Sequence, residues 1–280
     1  MKKKLPTILL VLVFLAGFCL LLYPSVSDYW NSLHQSKEIE KYDENVSSLR
    51  DEEYKKILSA AYEYNEMLYK KENRFFISES EKKLYNSTLN LGGFGIMGYV
   101  EIPTIKCTLP IYHSTDENIL QIAVGHIEGT SLPVGGVNTH SVLSGHRGLV
   151  SAKLLSDLDK MSEGDIFMIH VLDKTLTYQV DQIRIVEPRE VSDIEIVDGK
   201  DYCTLVTCTP YGINTHRLLV RGRRIGNIEL NDELRIGAQA KQIDPIYVAP
   251  YVASPIIIGL LGYLIIKQIR RKKRSRKYEK

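Results

Sequence analysis

Residues 204–222 read TLVTCTPYGINTHRLLVRG. An apolar run ends at Cys208, a spacer rich in turn-forming residues follows, and a second apolar run opens at His216 and Arg217. The pattern predicts strand, loop, strand: β-branched and aliphatic residues fill both arms, while Pro210 and Gly212 fall between them. If the arms are antiparallel neighbours, Cys208 and Arg217 face each other across the base of the loop. Cys203 and Cys208, five apart on one strand, then point to opposite faces, so a disulfide between them would distort the strand and is rejected.

Upstream of this ribbon the texture from Met97 onward is one of short strands and turn signals. GYVEIPTI and TLPIYH are β-like, ENILQIAVGHI is a short helix or turn, and HSVLSGHRG is a strand running into a Gly-flanked loop. SAKLLSDLDKM predicts a short helix. DIFMIHVL and TLTYQVDQIRIVEP predict an antiparallel pair, with alternation in Tyr178, Val180, Ile183 and Ile185. Many short strands, few helices and no βαβ rhythm point to an antiparallel barrel or sandwich. Before it, residues 28 to about 72 have apolar positions at Ile57, Ala60, Ala61, Tyr64 and Leu68, a 3–4 spacing that predicts one or two amphipathic helices forming a stalk. Residues 70–95 are polar and loop-like, interrupted by Phe75 and Phe76.

The 280 residues carry a formal net charge of +2, and that balance hides an asymmetry. The last fourteen residues hold nine Lys or Arg against one Glu, and Lys2, Lys3 and Lys4 add three cations, leaving the middle of the chain at −9. Phosphate contacts need clustered cations, so a nucleic-acid surface there is excluded. Leu5 to Ser27 and Pro245 to Ile266 hold no charged residue, and each is long enough to cross a bilayer core. The first has the positive flank of a signal peptide, but its length and the lack of an Ala-x-Ala site favour an uncleaved anchor. The second contains Pro250, Pro255, Gly259 and Gly262, which membrane helices tolerate, and is followed by the cationic tail. Cations on both outer flanks put both termini in the cytoplasm and residues 28–244 outside. Cys107, Cys203 and Cys208 lie in the exported part, an odd number that leaves at least one thiol unpaired.

Cys208 is the candidate nucleophile. A free cysteine is more often a small buried core residue, but a strand end beside a loop is where reactive groups sit. A thiolate needs a neighbouring cation or base, and Arg217 is placed to supply several donors to a carbonyl or oxyanion. Arg221, Arg223 and Arg224 read as surface residues. Of the histidines, His113, His126 and His170 sit in or beside apolar strands and read as structural, while His140 and His216 are adjacent to plausible sites. His146 lies in SGHRGLVSAKLL, where flanking glycines let the backbone turn and present a side chain into a cleft. No residues have metal-ligand spacing, and no metal or other cofactor is expected.

Together TLVTCTPYGINTHRLLVRG, SGHRGLVSAKLLSDLDKM and MGYVEIPTIKCTLPIYHST resemble the sortases, over about residues 94–226. The continuation after the cysteine and the second membrane segment resemble class C, the pilin-polymerising sortases of Gram-positive bacteria. The resemblance implies a closed eight-stranded β-barrel, with Cys208 as nucleophile, His146 as general acid and base, and Arg217 as the residue that stabilises the oxyanion or orients the peptide. Thr207, in the Thr-x-Thr-Cys element, is then a substrate-binding residue. It implies cleavage of an LPxTG-like sorting signal through a thioacyl enzyme that a lysine of the next pilin resolves. A housekeeping sortase acting on a peptidoglycan precursor, or a peptide-binding module with an inert Cys208, are the alternatives. Class C members carry a lid with an Asp-Pro-aromatic tip; here the region reads ENRFFISESEK, without Asp-Pro, and Phe75 or Phe76 is the candidate for the aromatic.

The resulting organisation is an anchor at 1–27, helical stalk and lid-like segment at 28–93, barrel at 94–228, linker at 229–244, membrane helix at 245–266 and basic tail at 267–280. Expected partners are the membrane and proteins bearing LPxTG-like signals; the oligomeric state is left open.

Overall fold

A computed structural model describes residues 5–227 together with Gly259, Gly262, Tyr263, Ile266 and Lys267. The expected helix over 245–266 and the tail after it lie outside the described residues, apart from those isolated positions. The chain divides into two units, one of residues 1–29 and 240–280, the other of residues 30–239. Helix α1 (Leu5–Ser47) opens in the first of these, and its apolar part is the one helix among the described residues long and apolar enough to cross a membrane.

The second unit is built on a closed barrel. Its strands are β1 (Ile96–Ile102), β2 (Cys107–His113), β3 (Val124–His126), β4 (Thr139–Ser144), β5 (Ile166–Val171), β6 (Lys174–Val186), β7 (Asp201–Thr209) and β8 (His216–Arg224). They close in the order β1-β2-β3-β4-β7-β8-β6-β5. The eight-stranded barrel matches the expectation, but not all of it is antiparallel: β2 pairs with β3, and β4 with β7, in parallel. Period-two alternation fills the interior. Val100, Ile102, Ile111, Leu143, Phe167, Ile169, Tyr178, Leu205 and Val220 are buried in one core, and Cys203 joins them with no exposure.

Helices α2 (Asp51–Tyr69) and α3 (Glu79–Ser87) differ from the expected stalk and loop. The stripe on α2 buries Ala61, Tyr64 and Leu68 in the barrel's own core, and Asn65 exchanges hydrogen bonds with the backbone of Leu132 at 2.7 and 3.1 Å. A helix docked through core contacts is part of the domain rather than a spacer before it. Helix α3 starts at a capping box in which Ser78 and Glu81 each satisfy the other's backbone N–H. It buries one side chain, Tyr85, whose hydroxyl lies 3.0 Å from His126 Nδ1. SAKLLSDLDKM forms turns and one 3-10 turn, Leu158–Lys160, instead of an α-helix. Helix α4 (Glu117–Leu120) is a single turn between β2 and β3.

Candidate active site

The site follows from the pleat of β7. Cys203, Leu205 and Thr207 face the barrel interior, so Thr204, Val206 and Cys208 face outward. Burial raises the Cys203 thiol far above its ordinary range, which removes it as a nucleophile. Cys208, at the strand's end, is half-buried. The antiparallel register of β7 and β8 sets Cys208 directly opposite Arg217, and Thr209 opposite His216. Cross-strand partners hold their Cβ atoms about 4.5–5.5 Å apart, so the two residues sit side by side at the strand end. The Arg217 Nη1 donates to the carbonyls of His216 (3.1 Å) and Asn214 (3.3 Å), which folds the guanidinium back over the loop. Among the described residues no carboxylate forms an ion pair with Arg217.

His146 reaches the same end of the barrel because β4 runs parallel to β7. Ser144 pairs with Val206, and the Gly145 N–H continues the ladder to the Val206 carbonyl at 3.0 Å. His146 therefore leaves the strand level with Cys208. Thr207 donates its hydroxyl to the Gly145 carbonyl at 2.8 Å and is almost fully buried. It fastens the histidine loop to β7 from inside, so its hydroxyl is engaged within the fold. The two glycines flanking His146-Arg147 act differently. Gly148 has φ +79°, which a side chain resists; at Gly145 a Cβ would come within 2.8 Å of Leu155. The loop is clamped further by Arg147, which bonds Asp159 at 2.5 Å and lies 5.8 Å from the Tyr211 ring of the β7–β8 loop.

His113, His126, His140 and His170 are engaged in packing and hydrogen bonds of the fold. His140 sits between Thr204 Oγ1 and the Glu195 carbonyl, both at 2.7 Å, and burial pushes its pKa down to about 4. Burial does the same to His126, also to about 4. His113 bonds the carbonyls of Gly95 and Thr88, and His170 stacks on Tyr99 with Glu101 at 3.2 Å. His216 is exposed beside Thr215. Arg221 is no free surface cation: it forms a two-point pair with Asp181 and covers the Tyr202 ring.

Below Cys208 and Arg217 on the outer face, Val142, Val206 and Leu219 pack with Ile194 of the β6–β7 loop, joined by Ile127 and Val186. The segment with the two phenylalanines meets this cluster through a residue that sequence reasoning missed. Arg74 is 5 % exposed, donates to the Ile194 carbonyl at 2.7 Å and lies 3.0 Å from the Glu195 carboxylate. Phe75 lies under its guanidinium and against Gly129, while Phe76 is 75 % exposed and so not docked in an apolar site. Glu117 was also missed. It lies 3.3 Å from His146 Nε2, and nothing in a four-residue helix predicts that contact. Among the described residues no cluster of His, Cys, Asp and Glu is arranged to hold a metal ion.

A family model for the sortase domain matches residues 100–225. A solved sortase C1 from Streptococcus agalactiae is 51 % identical, with a TM-score of 0.67 over 69 % of this chain and 100 % of that one. The chain belongs to the sortase family. Sortase C of Streptococcus pneumoniae is 47 % identical with a TM-score of 0.60, covering 68 % of this chain and 97 % of that one. Sortase C of Clostridium perfringens, solved with the C-terminal cell wall sorting motif, is 44 % identical with a TM-score of 0.61, covering 69 % of this chain and 100 % of that one. Among curated relatives, sortase D of Bacillus subtilis is 30 % identical over 131 residues, 46 % of this chain and 63 % of that protein. The chain thus spans less than two thirds of the length of the curated relatives it matches first. The structures similar to this sortase domain at 40–51 % identity are sortase C structures.

Proposed function

We propose that this chain is a membrane-anchored cysteine transpeptidase that joins pilin subunits through their LPxTG-like sorting signals. Cys208 attacks the Thr–Gly carbonyl and its thiol proton passes to His146. The carbonyl oxygen takes up negative charge that Arg217 stabilises. His146 returns the proton to the leaving amine, and the tetrahedral adduct collapses to a thioester on Cys208. A lysine amine of the next subunit then attacks the thioester and gives its surplus proton to His146 as the thiolate departs. The apolar cluster of Val142, Ile194, Val206 and Leu219 forms the wall along which the sorting peptide lies, and residues 70–92 cover it as a lid held by Arg74. The domain acts outside the cell, tethered by α1 and by a second helix over 245–266.

The observation that carries this reading is the register. Its support is that Cys208 and Arg217 are a cross-strand pair, and that the parallel β4–β7 ladder ends at Ser144 and Val206, two residues before His146 and Cys208. The pilin substrate is supported by the kinship with sortase C structures, one described in terms of pilin substrate specificity and one solved with a sorting motif. The test is to incubate the chain with a protein ending in an LPxTG-like motif and with a pilin of the same cell. An isopeptide bond between the motif threonine and a pilin lysine is expected. Hydrolysis without joining, or joining only to a peptidoglycan-type amine, would refute the polymerase reading.

A further inference from the structure

Three groups are needed for the chemistry proposed above, but the imidazole works only if its proton sits on the correct nitrogen. Histidine has two nitrogens, and the one facing the reaction must be unprotonated to accept a proton from the thiol or the incoming amine. The chain places a carboxylate where it can settle that choice. Glu117 Oε1 lies 3.3 Å from His146 Nε2 and also accepts from Gln121 Nε2 at 2.8 Å. The carboxylate is held below its usual range by the Gln121 bond first and by His146 second, so it is an acceptor only.

Both ends of this contact are braced from the same helix. On α1, Asn31 and Gln35 are four residues apart and share a face. Asn31 Nδ2 donates to the Ser151 carbonyl at 2.8 Å, in the loop that follows His146. Gln35 Nε2 donates to the Ile122 carbonyl at 2.7 Å, just after the turn that carries Glu117. Two carbonyls from loops nearly thirty residues apart in sequence are thus tied to one rigid face. Arg147, the nearest cation in the chain to His146, is turned away into its bond with Asp159 and does not compete for the Glu117 carboxylate.

We propose that Glu117 is a positioning residue for His146: its carboxylate accepts a hydrogen bond from Nε2–H, fixes that tautomer and leaves Nδ1 as the nitrogen that exchanges protons with Cys208 and the amines. The role rests on the transpeptidase reading. The step stays balanced, because the Glu117 proton count does not change. Nδ1 takes one proton from the thiol and hands one to the leaving amine, then takes one from the acceptor and returns it to the departing Cys208 thiolate. Such outer partners of a working histidine are commonly worth about ten- to a hundredfold in activity. A glutamine at 117 can donate as well as accept, so it no longer distinguishes the tautomers. An aspartate accepts only, from a shorter arm.

The test uses the full chain, ¹⁵N-labelled on histidine, at about pH 9, above the ordinary imidazole range. The His146 resonance is assigned by its loss in His146→Ala. Expected is a proton on Nε2 in the parent, and a mixture of tautomers in Glu117→Gln and Glu117→Ala. In acyl transfer kcat falls by about ten- to a hundredfold in both, with KM for sorting peptide and acceptor unchanged and with partial recovery in Glu117→Asp. Because Glu117 is largely exposed, thermal stability serves as the folding control and stays at the parent value. An unaltered tautomer in Glu117→Ala overturns the proposal. So does a rise in acceptor KM at constant kcat, which would make Glu117 a binding group for the incoming ammonium. A parent that transfers no acyl group at all would instead refute the transpeptidase reading, and the tautomer measurement would still stand by itself.

Discussion

The two faces of the β7–β8 ribbon are made from the same eighteen residues and do opposite things. On the inner face Cys203, Leu205, Leu218 and Val220 are buried in the barrel core, and Gly222 leaves room for Phe167 and Tyr178. On the outer face Val206 and Leu219 wall a small apolar cluster, with Cys208 and Arg217 as the next pair toward the barrel mouth. Two cysteines five residues apart thus occupy opposite chemical worlds. What separates them is the pleat alone: an odd offset along a strand changes face, and closure of the barrel makes one face dry and the other accessible.

That contrast is open to attack at several points. The largest expected effect is the difference between the cysteines. Cys208→Ala should lower acyl transfer by more than about a thousandfold with little change in stability, since removing a nucleophile removes the covalent route. Cys203→Ala should keep most activity and lose about 1 kcal/mol of stability, because it deletes a packed core group. Similar activity losses in both would break the two-face account. Arg217→Lys comes next. Keeping the charge but losing the planar fork should cost about a hundredfold in turnover, and a near-normal rate would reduce Arg217 to a distant charge.

A smaller effect concerns the histidine that holds the β6–β7 loop to the outer face. His140 is neutral in the fold with a pKa near 4, while in the unfolded chain it titrates near 6.5. The unfolded state therefore binds the extra proton between those values, so stability is complete above about pH 6.5 and falls as pH drops toward 4. The slope is at most ~1.4 kcal/mol per pH unit for each such group. His126 contributes a second equal slope, since its pKa is also near 4. Urea midpoints at about pH 7 and pH 5 should differ less in His140→Gln than in the parent. The smallest effect is expected at Arg74. Its partner Glu195 is half-exposed, so the pair is screened, and two Arg74 donors, Nε and Nη1, are buried without partners among the described residues. Arg74→Ala should raise the rate at which a small thiol reagent modifies Cys208 by about threefold, the effect of a few tenths to 1 kcal/mol. An unchanged rate would separate this segment from the site.

Sequence alone reveals the Cys208–Arg217 pair because hairpin pairing is local: six residues of loop, 210–215, and two alternating strands fix it. The place of His146 is less legible. It depends on β4 lying parallel to β7, a contact about sixty residues long in sequence, and a pattern of short strands does not announce which pairs run parallel. Helix α3 was hidden for a different reason. With only Tyr85 buried it has no apolar stripe, and its signal was the capping box of Ser78 and Glu81 rather than periodicity. Arg74 reads as one more cation in a polar stretch; its burial is imposed by a carbonyl 120 residues away. The bond of Thr207 to Gly145 is hidden in the same way, because it joins residues 62 apart in sequence.

The central claim is that one outward-facing thiol, set by the register opposite Arg217, carries the acyl group. It is tested most directly by mapping the covalent adduct formed when the chain is mixed with an LPxTG-like peptide and quenched before turnover ends. The expected result is a single thioester on Cys208, lost in Cys208→Ala and formed more slowly in Arg217→Lys. An acyl group on Cys107 or Cys203, or the same adduct mass in Cys208→Ala, would contradict it.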